Sequence, residues 1–290
     1  MGHYDHSVHA GNAGDVWKHF LLLEAADCLL DPDGSLVYAE SHVGRPEYAL
    51  RAPGDWEGGI GKIWPVLPSL SNFCYFDILA DLNLNLESSS SVRRFEPVCK
   101  QVSRPLLYPG SARLIHELAK RKKANLEADV WDNDPNVASS WEGFSLASKP
   151  TGLFPPAKIA FHQGDGFLGV LSRLCRSPAG LLFIDPPYID SQDVLLARKL
   201  LDRAKDRGWI VLWWYMMDMN TAPDGLQAFE LQFSEAGLEG GRWKGAVVAF
   251  AGAESERFDH LIGHMSRQIE KFIRIIKLEL KCKKISRKKG

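Results

Sequence analysis

A six-residue apolar run, Ala179-Gly-Leu-Leu-Phe-Ile184, ends directly in Asp185-Pro186-Pro187-Tyr188. A short apolar run of this kind forms a strand buried on both faces, as the parallel strands of α/β proteins are. The C-terminal end of such a strand is where open α/β sheets place ligands. Proline fixes φ and pushes the residue before it into an extended conformation, so the loop is stiff and its carbonyls point in set directions. The Asp185 carboxylate and the Pro186 carbonyl can therefore accept both hydrogens of an exocyclic amine, leaving the nitrogen lone pair aimed at an electrophile. Tyr188 offers a face on which a flipped-out base can stack.

Further strands are expected at Leu36–Ala39, Glu127–Trp131, Lys158–His162, Trp209–Tyr215 and Gly245–Phe250, with a helix over Val194–Lys205. Strands alternating with helices predict an α/β protein with a mainly parallel sheet. Trp213, Trp214 and Tyr215 read as core. Asn12 or Asp15 is suited to cap a helix whose apolar face runs through Val16, Phe20, Leu23 and Ala26. Ser111 is the N-cap candidate of a helix running to about Lys123. Late in the chain, Phe258, Ile262, Met265, Ile269, Phe272 and Ile276 recur at helical spacing and are expected to pack back onto the domain.

The net charge of −1 conceals an asymmetry. From Arg267 to Gly290 there are ten Lys/Arg and two Glu, a balance of +8, which leaves −9 for residues 1–266. Such a tail suits a nucleic-acid arm and equally a solvated terminus. The five cysteines are scattered, without Cys-x-x-Cys spacing, as expected of a reducing compartment and against a structural zinc site. His3, His6 and His9 recur every three residues but lack partners at ligand spacing, so no metal is expected. No apolar stretch approaches a membrane span, and the chain is expected to be cytoplasmic.

Two stretches carry a family resemblance. Asp185-Pro-Pro-Tyr188 resembles the signature loop of amino-group methyltransferases acting on adenine or cytosine. The run Tyr4-Asp-His6-Ser-Val-His9-Ala-Gly-Asn12-Ala-Gly-Asp15-Val-Trp-Lys18-His19 resembles, in full, the opening Tyr-x-His-x-x-His-Ala-Gly-Asn-x-x-Asp-Val-x-Lys-His of bacterial methyltransferases that modify N6 of an adenine in large-subunit ribosomal RNA. The resemblance, strongest at these two places, extends over about residues 4–250. It implies a Rossmann-like class I methyltransferase fold that uses S-adenosylmethionine and acts on ribosomal RNA. It implies that His19 and Ser111 contact the methyl donor, while Tyr4, His6 and Lys18 lie near the target base.

The donor site is expected to draw on His42 and Gly44 after the first strand, where glycine lets the backbone approach a ligand. Asp132, after the second, suits the ribose hydroxyls. Asp165 and Gly166 follow the third, where the donor's adenine is received. After the first strand the family shows Asp-x-His-Ala-Gly-x-Gly-x-Tyr. This chain keeps His42, Gly44 and Tyr48 but has Glu40 for the Asp and Pro46 for the second Gly. Proline cannot take positive φ, so donor affinity is expected to be reduced or the loop rebuilt.

Four segments follow from this reading. Residues 1–48 hold an N-terminal lid, the first helix and the first strand, and 49–108 a helical insertion. The rest of the methyltransferase domain is 109–255, and 256–290 an amphipathic helix with a basic tail. The insertion either presents RNA or pads the structure, with Ser88–Ser91 an exposed loop. Two rival functions stay open. One is a DNA adenine or cytosine amino-methyltransferase; the other is a degenerate fold that binds RNA without catalysis.

Overall fold

The computed structural model describes residues 8–30, 34–84, 106–147, 157–176, 178–189, 191–219 and 226–286. Helix α1 (Ala13–Leu29) leads into strand β1 (Ser35–Glu40). Strand β2 (Glu47–Leu50) pairs antiparallel with β3 (Leu106–Pro109), and helices α2 (Ile60–Ile63) and α3 (Cys74–Leu84) lie between them in the chain. The predicted limits of the insertion, 49 and 108, therefore fall inside this strand pair. The expected loop at Ser88–Ser91 lies outside the described residues.

The remaining chain runs through α4 (Ser111–Lys122), β4 (Asn125–Asp132), α5 (Pro135–Ala147), β5 (Lys158–Gln163), α6 (Gly166–Leu174) and β6 (Leu181–Ile184). Then come α7 (Ser191–Asp206), β7 (Ile210–Met216), β8 (Gln227–Gln232), β9 (Gly245–Ala251) and α8 (Glu256–Ser286). Seven strands form one sheet in the order β5-β4-β1-β6-β7-β9-β8. Strands β5 to β7 are parallel, and β9 runs antiparallel between β7 and β8. Chain order departs in opposite directions from β1 and β6, which makes their shared C-terminal edge the switch point where such sheets bind ligands. Of the run Ala179–Ile184 predicted to be buried on both faces, Leu181, Leu182, Phe183 and Ile184 form the strand and are all buried, while Ala179 is exposed and Gly180 half-buried.

Three strands escaped the sequence reading. Strands β2 and β3 are four-residue pieces holding polar or proline residues. Strand β8 lies at the sheet edge with mostly exposed positions, so it lacks the apolar run that marked the others. The single apolar face expected of α1 is also corrected. Fifteen of its residues are buried, because α1 lies between the sheet and helices α3, α4 and α8. Asn12 is its N-cap, accepting the Asp15 N–H at 2.9 Å. Helix α8 packs against α1 as its periodicity predicts, with Leu261, Met265, Phe272 and Ile276 buried. The Phe272 ring lies 4.7 Å from Phe20 and 5.5 Å from Phe76, forming an aromatic knot between α8, α1 and α3.

Candidate active site

Helix α1 enters the sheet's ligand edge almost wholly buried, so its charges need partners. Lys18 Nζ lies 2.7 Å from Asp15 Oδ1 and 2.7 Å from Asp185 Oδ2. Burial alone would push the Lys18 ammonium down, but the two carboxylates override it and hold its pKa far above the ordinary lysine value. The same ammonium sits 4.9 Å from the centre of the Trp214 ring. Asp15 also accepts the Gly11 N–H at 2.8 Å, which fixes the turn leading into the helix. The carboxylate that begins Asp185-Pro-Pro-Tyr188 is thus oriented from α1, 167 residues away in the chain.

Pro186 is buried, and Tyr188 takes a left-handed φ of 54°. Its hydroxyl donates to the Trp214 carbonyl and accepts the Trp213 indole N–H at 2.7 Å. A non-glycine residue at positive φ persists only where its surroundings over-determine it, and two bonds to β7 do so here. Trp214 is buried, and its indole N–H has no hydrogen-bond partner among the described residues.

The loop after β1 is built around Tyr48. Gly44 has φ of 63°, and a Cβ there would meet the Tyr48 hydroxyl at 2.7 Å, so only glycine fits. The Gly44 N–H donates to Asp132 Oδ2 at 3.0 Å, and its carbonyl accepts the Trp141 indole N–H at 2.8 Å. The Arg45 N–H donates to Tyr48 Oη at 2.9 Å, and the Pro46 carbonyl accepts the Gly110 N–H at 2.9 Å. Pro46 therefore stands in a loop docked on the start of α4. Gly110 permits that docking, since a Cβ there would lie 2.3 Å from the Arg45 carbonyl oxygen.

Gly110, in extended conformation, is also the N-cap of α4, which corrects the expectation for Ser111. Ser111 is the first helical residue, and its hydroxyl donates to Glu40 Oε1. Tyr38 Oη donates to the other oxygen of Glu40 at 2.7 Å. Glu40 is fully buried, and burial pushes its carboxyl up to about 8 against the two hydrogen bonds. Through these two bonds Glu40 ties β1 to α4.

His19 Nδ1 lies 2.9 Å from the Tyr108 hydroxyl, which in turn lies 2.9 Å from that of Tyr75. His42 Nδ1 lies 2.9 Å from Ser41 Oγ, and burial lowers its pKa to about 4, so the imidazole is neutral near pH 7. Asp132 also accepts the Asp134 N–H, at 2.9 Å.

Part of this set lines one cavity of about 1440 Å³. His19, His42, Gly44, Ser111 and Asp132 line it on the β1–β4 side; Lys18, Asp185, Pro186 and Tyr188 line it on the β6–β7 side. Asp165 and Gly166 do not belong to that lining. Asp165 caps α6, accepting the Leu168 N–H at 3.0 Å. Gly166 is pressed onto the Ser41 carbonyl so closely that a Cβ would lie 1.5 Å from its oxygen. Tyr4 and His6, in the part of the expected lid that precedes residue 8, lie outside the described residues. The sequence reading missed the joint role of Asp15, whose spacing of three from Lys18 on a helix was the available signal, and the Tyr38–Glu40–Ser111 link. No group of three His, Cys, Asp or Glu able to hold a metal ion occurs among the described residues, and no described helix is long and apolar enough to cross a membrane.

The strand order, with its one reversed strand, and the ligand edge define a Rossmann-like class I methyltransferase fold. The crystal structure of protein LPL1258 from Legionella pneumophila shares that fold, with a TM-score of 0.62 and 20% identity over 91% of this chain and 94% of that one. The chain is 28% identical over 193 residues to ribosomal RNA large subunit methyltransferase J of Escherichia coli K12, covering 64% of this chain. It is 24% identical over 221 residues to the protein of the same name from Haemophilus influenzae, covering 73% of this chain and 69% of that one. The match spans 59% of the length of the Escherichia coli relative. No protein-family model matches the chain.

Proposed function

We propose that the protein transfers a methyl group from S-adenosylmethionine to the N6 amine of an adenine in large-subunit ribosomal RNA, in the cytoplasm. The observation that carries this reading is the Asp15–Lys18–Asp185 cluster, which fixes the carboxylate of Asp185-Pro-Pro-Tyr188 at the wall of a cavity on the sheet's switch point. The names of the two relatives supply the substrate class. S-adenosylmethionine supplies a sulfonium methyl that a neutral amine can attack. The glycine cradle at Gly44 and the neutral His42 suit it, with His19, Ser111 and Asp132 as further contacts.

Asp185 and the Pro186 carbonyl accept the two N6 hydrogens, and this turns the lone pair out of conjugation with the ring. Tyr188, pinned through its hydroxyl, gives the base a stacking face that cannot swing away. As the nitrogen–carbon bond forms and the sulfur–carbon bond breaks, positive charge grows on N6. A carboxylate fixed in advance stabilises that charge without reorganising. The surplus proton leaves N6 afterwards. Lys18 compensates Asp185, which is thereby kept as a hydrogen-bond acceptor.

The test offers labelled S-adenosylmethionine with unmodified large-subunit ribosomal RNA and, separately, with DNA, and digests the products to nucleosides. Label in N6-methyladenosine from RNA alone is expected. Label from DNA alone establishes the rival substrate. Failure to bind donor at millimolar concentration, with RNA binding retained, establishes the degenerate fold.

A further inference from the structure

The cavity is larger than a site for one small molecule. Small-molecule sites run from about 300 to 1,000 Å³, and this one reaches about 1440 Å³. The additional space extends beyond the Asp185 wall to the loop joining β8 and β9, where Phe233, Gly240, Arg242 and Trp243 line it. The guanidinium carbon of the exposed Arg242 lies 4.5 Å from the centre of the half-buried Trp243 ring.

That loop is held from several sides. The Trp243 N–H donates to the Gly240 carbonyl at 3.0 Å, the Phe233 N–H to the Lys244 carbonyl at 3.0 Å, and the Lys244 N–H to Asp218 at 3.0 Å. Gly241 has φ of 60°, and a Cβ on Gly240 would lie 2.1 Å from the Phe233 ring, so the turn depends on both glycines. The Glu239 N–H donates to the Gly58 carbonyl at 2.9 Å, joining the loop to the segment between β2 and β3. Two of the nearby acids are bonded to basic side chains: Glu239 to Lys62 at 2.6 Å and Asp55 to His9 at 2.7 Å. An indole held by a fixed loop, with an exposed guanidinium over one of its faces, is an arrangement in which the cation can move onto a phosphate as a base takes its place on the ring.

We propose that Arg242 and Trp243 bind the nucleotide next to the target adenine in single-stranded RNA, with Trp243 stacking its base and Arg242 meeting the backbone phosphate. This rests on the reading of the substrate as RNA. A flipped target leaves its neighbour unstacked, and the pair replaces the lost stacking partner at the mouth of the same cavity.

The test measures binding of unmodified large-subunit ribosomal RNA over a range of salt concentrations, and binding of S-adenosylhomocysteine, by wild type, Trp243→Ala, Trp243→Phe and Arg242→Ala. Trp243→Ala should weaken RNA binding about tenfold with the salt slope unchanged, and Trp243→Phe should restore most of it. Arg242→Ala should lower the salt slope by about one. S-adenosylhomocysteine affinity should stay within about twofold throughout. Wild-type RNA affinity in Trp243→Ala, or a parallel fall in S-adenosylhomocysteine affinity, overturns the proposal. If the variants behave as expected but the wild type transfers no methyl group, the pair stands as an RNA contact and the methyltransferase reading fails.

Discussion

At the scale of single residues, Asp15, Lys18 and Asp185 make an asymmetric set, and substitutions on its two sides should differ in kind. Asp185→Ala leaves the buried Lys18 still paired with Asp15 at 2.7 Å, so the fold should survive. Methyl transfer should fall by about a hundredfold or more, the scale of losing one preorganised polar contact in a reaction site. Near-normal single-turnover rates in this variant would remove Asp185 from the mechanism. Lys18→Ala instead leaves two carboxylates facing each other across the vacated ammonium site, where the lysine side chain was only 7% exposed. Removing one partner from a buried ionic set costs about 3–5 kcal/mol, so chemical denaturation should report a large loss of stability as well as of activity. Lys18→Ala with wild-type stability would mean that solvent reaches the pair.

At the scale of elements, legibility followed burial for the central strands but not for the edge strand β5, which was expected at Lys158–His162 although none of its positions is buried. Strands β1, β6, β7 and β9 were evident because both their faces are covered, which turns their sequences into apolar runs. Strands β2 and β3 were not, because four-residue pieces sharing a register across 55 or more intervening positions leave no periodic signal. The candidate site was legible where a motif is contiguous, as at Asp185-Pro-Pro-Tyr188, and illegible where residues are held by partners far along the chain. Tyr108 supporting His19, Tyr48 filling the space over Gly44, and the Ser111 hydroxyl on Glu40 are all of that second kind. Pro46 shows the same limit from the other side. Its sequence forbids a positive φ, but only the structure shows its carbonyl accepting the Gly110 N–H. Gly110→Ala therefore tests the element joint. The added methyl would lie 2.3 Å from the Arg45 carbonyl oxygen and must separate the Gly44–Tyr48 loop from α4. Overpacking of this kind typically costs about 1–3 kcal/mol. Calorimetry with S-adenosylhomocysteine should show affinity falling together with stability. Unchanged affinity would detach this joint from the proposed donor site.

At the scale of the whole molecule, the sheet's ligand edge is held together by polar groups whose protonation differs between folded and unfolded chains, so global stability must depend on pH. Burial lowers His42 from 6.5 to about 4; its contribution is present above pH 6.5 and lost as pH falls through 4. Glu40 acts in the opposite sense. Burial raises it from 4.5 to about 8, so between those values the folded chain holds a proton that the unfolded chain has released. That contribution is full below pH 4.5 and is lost as pH rises through about 8. Ionised Glu40 would then be a charge sealed beneath the loop with two hydroxyl donors but no cation bonded to it in the described structure. Glu40→Gln preserves the shape, keeps one oxygen as an acceptor, and presents an amide that the other hydroxyl can accept from. The melting temperature of Glu40→Gln should therefore be close to that of the wild type at pH 5 and pull progressively above it as pH is raised to 8 and beyond. Parallel melting curves for the two proteins across that range would show that Glu40 is already ionised in the folded state, and that solvent or a cation reaches it under the loop.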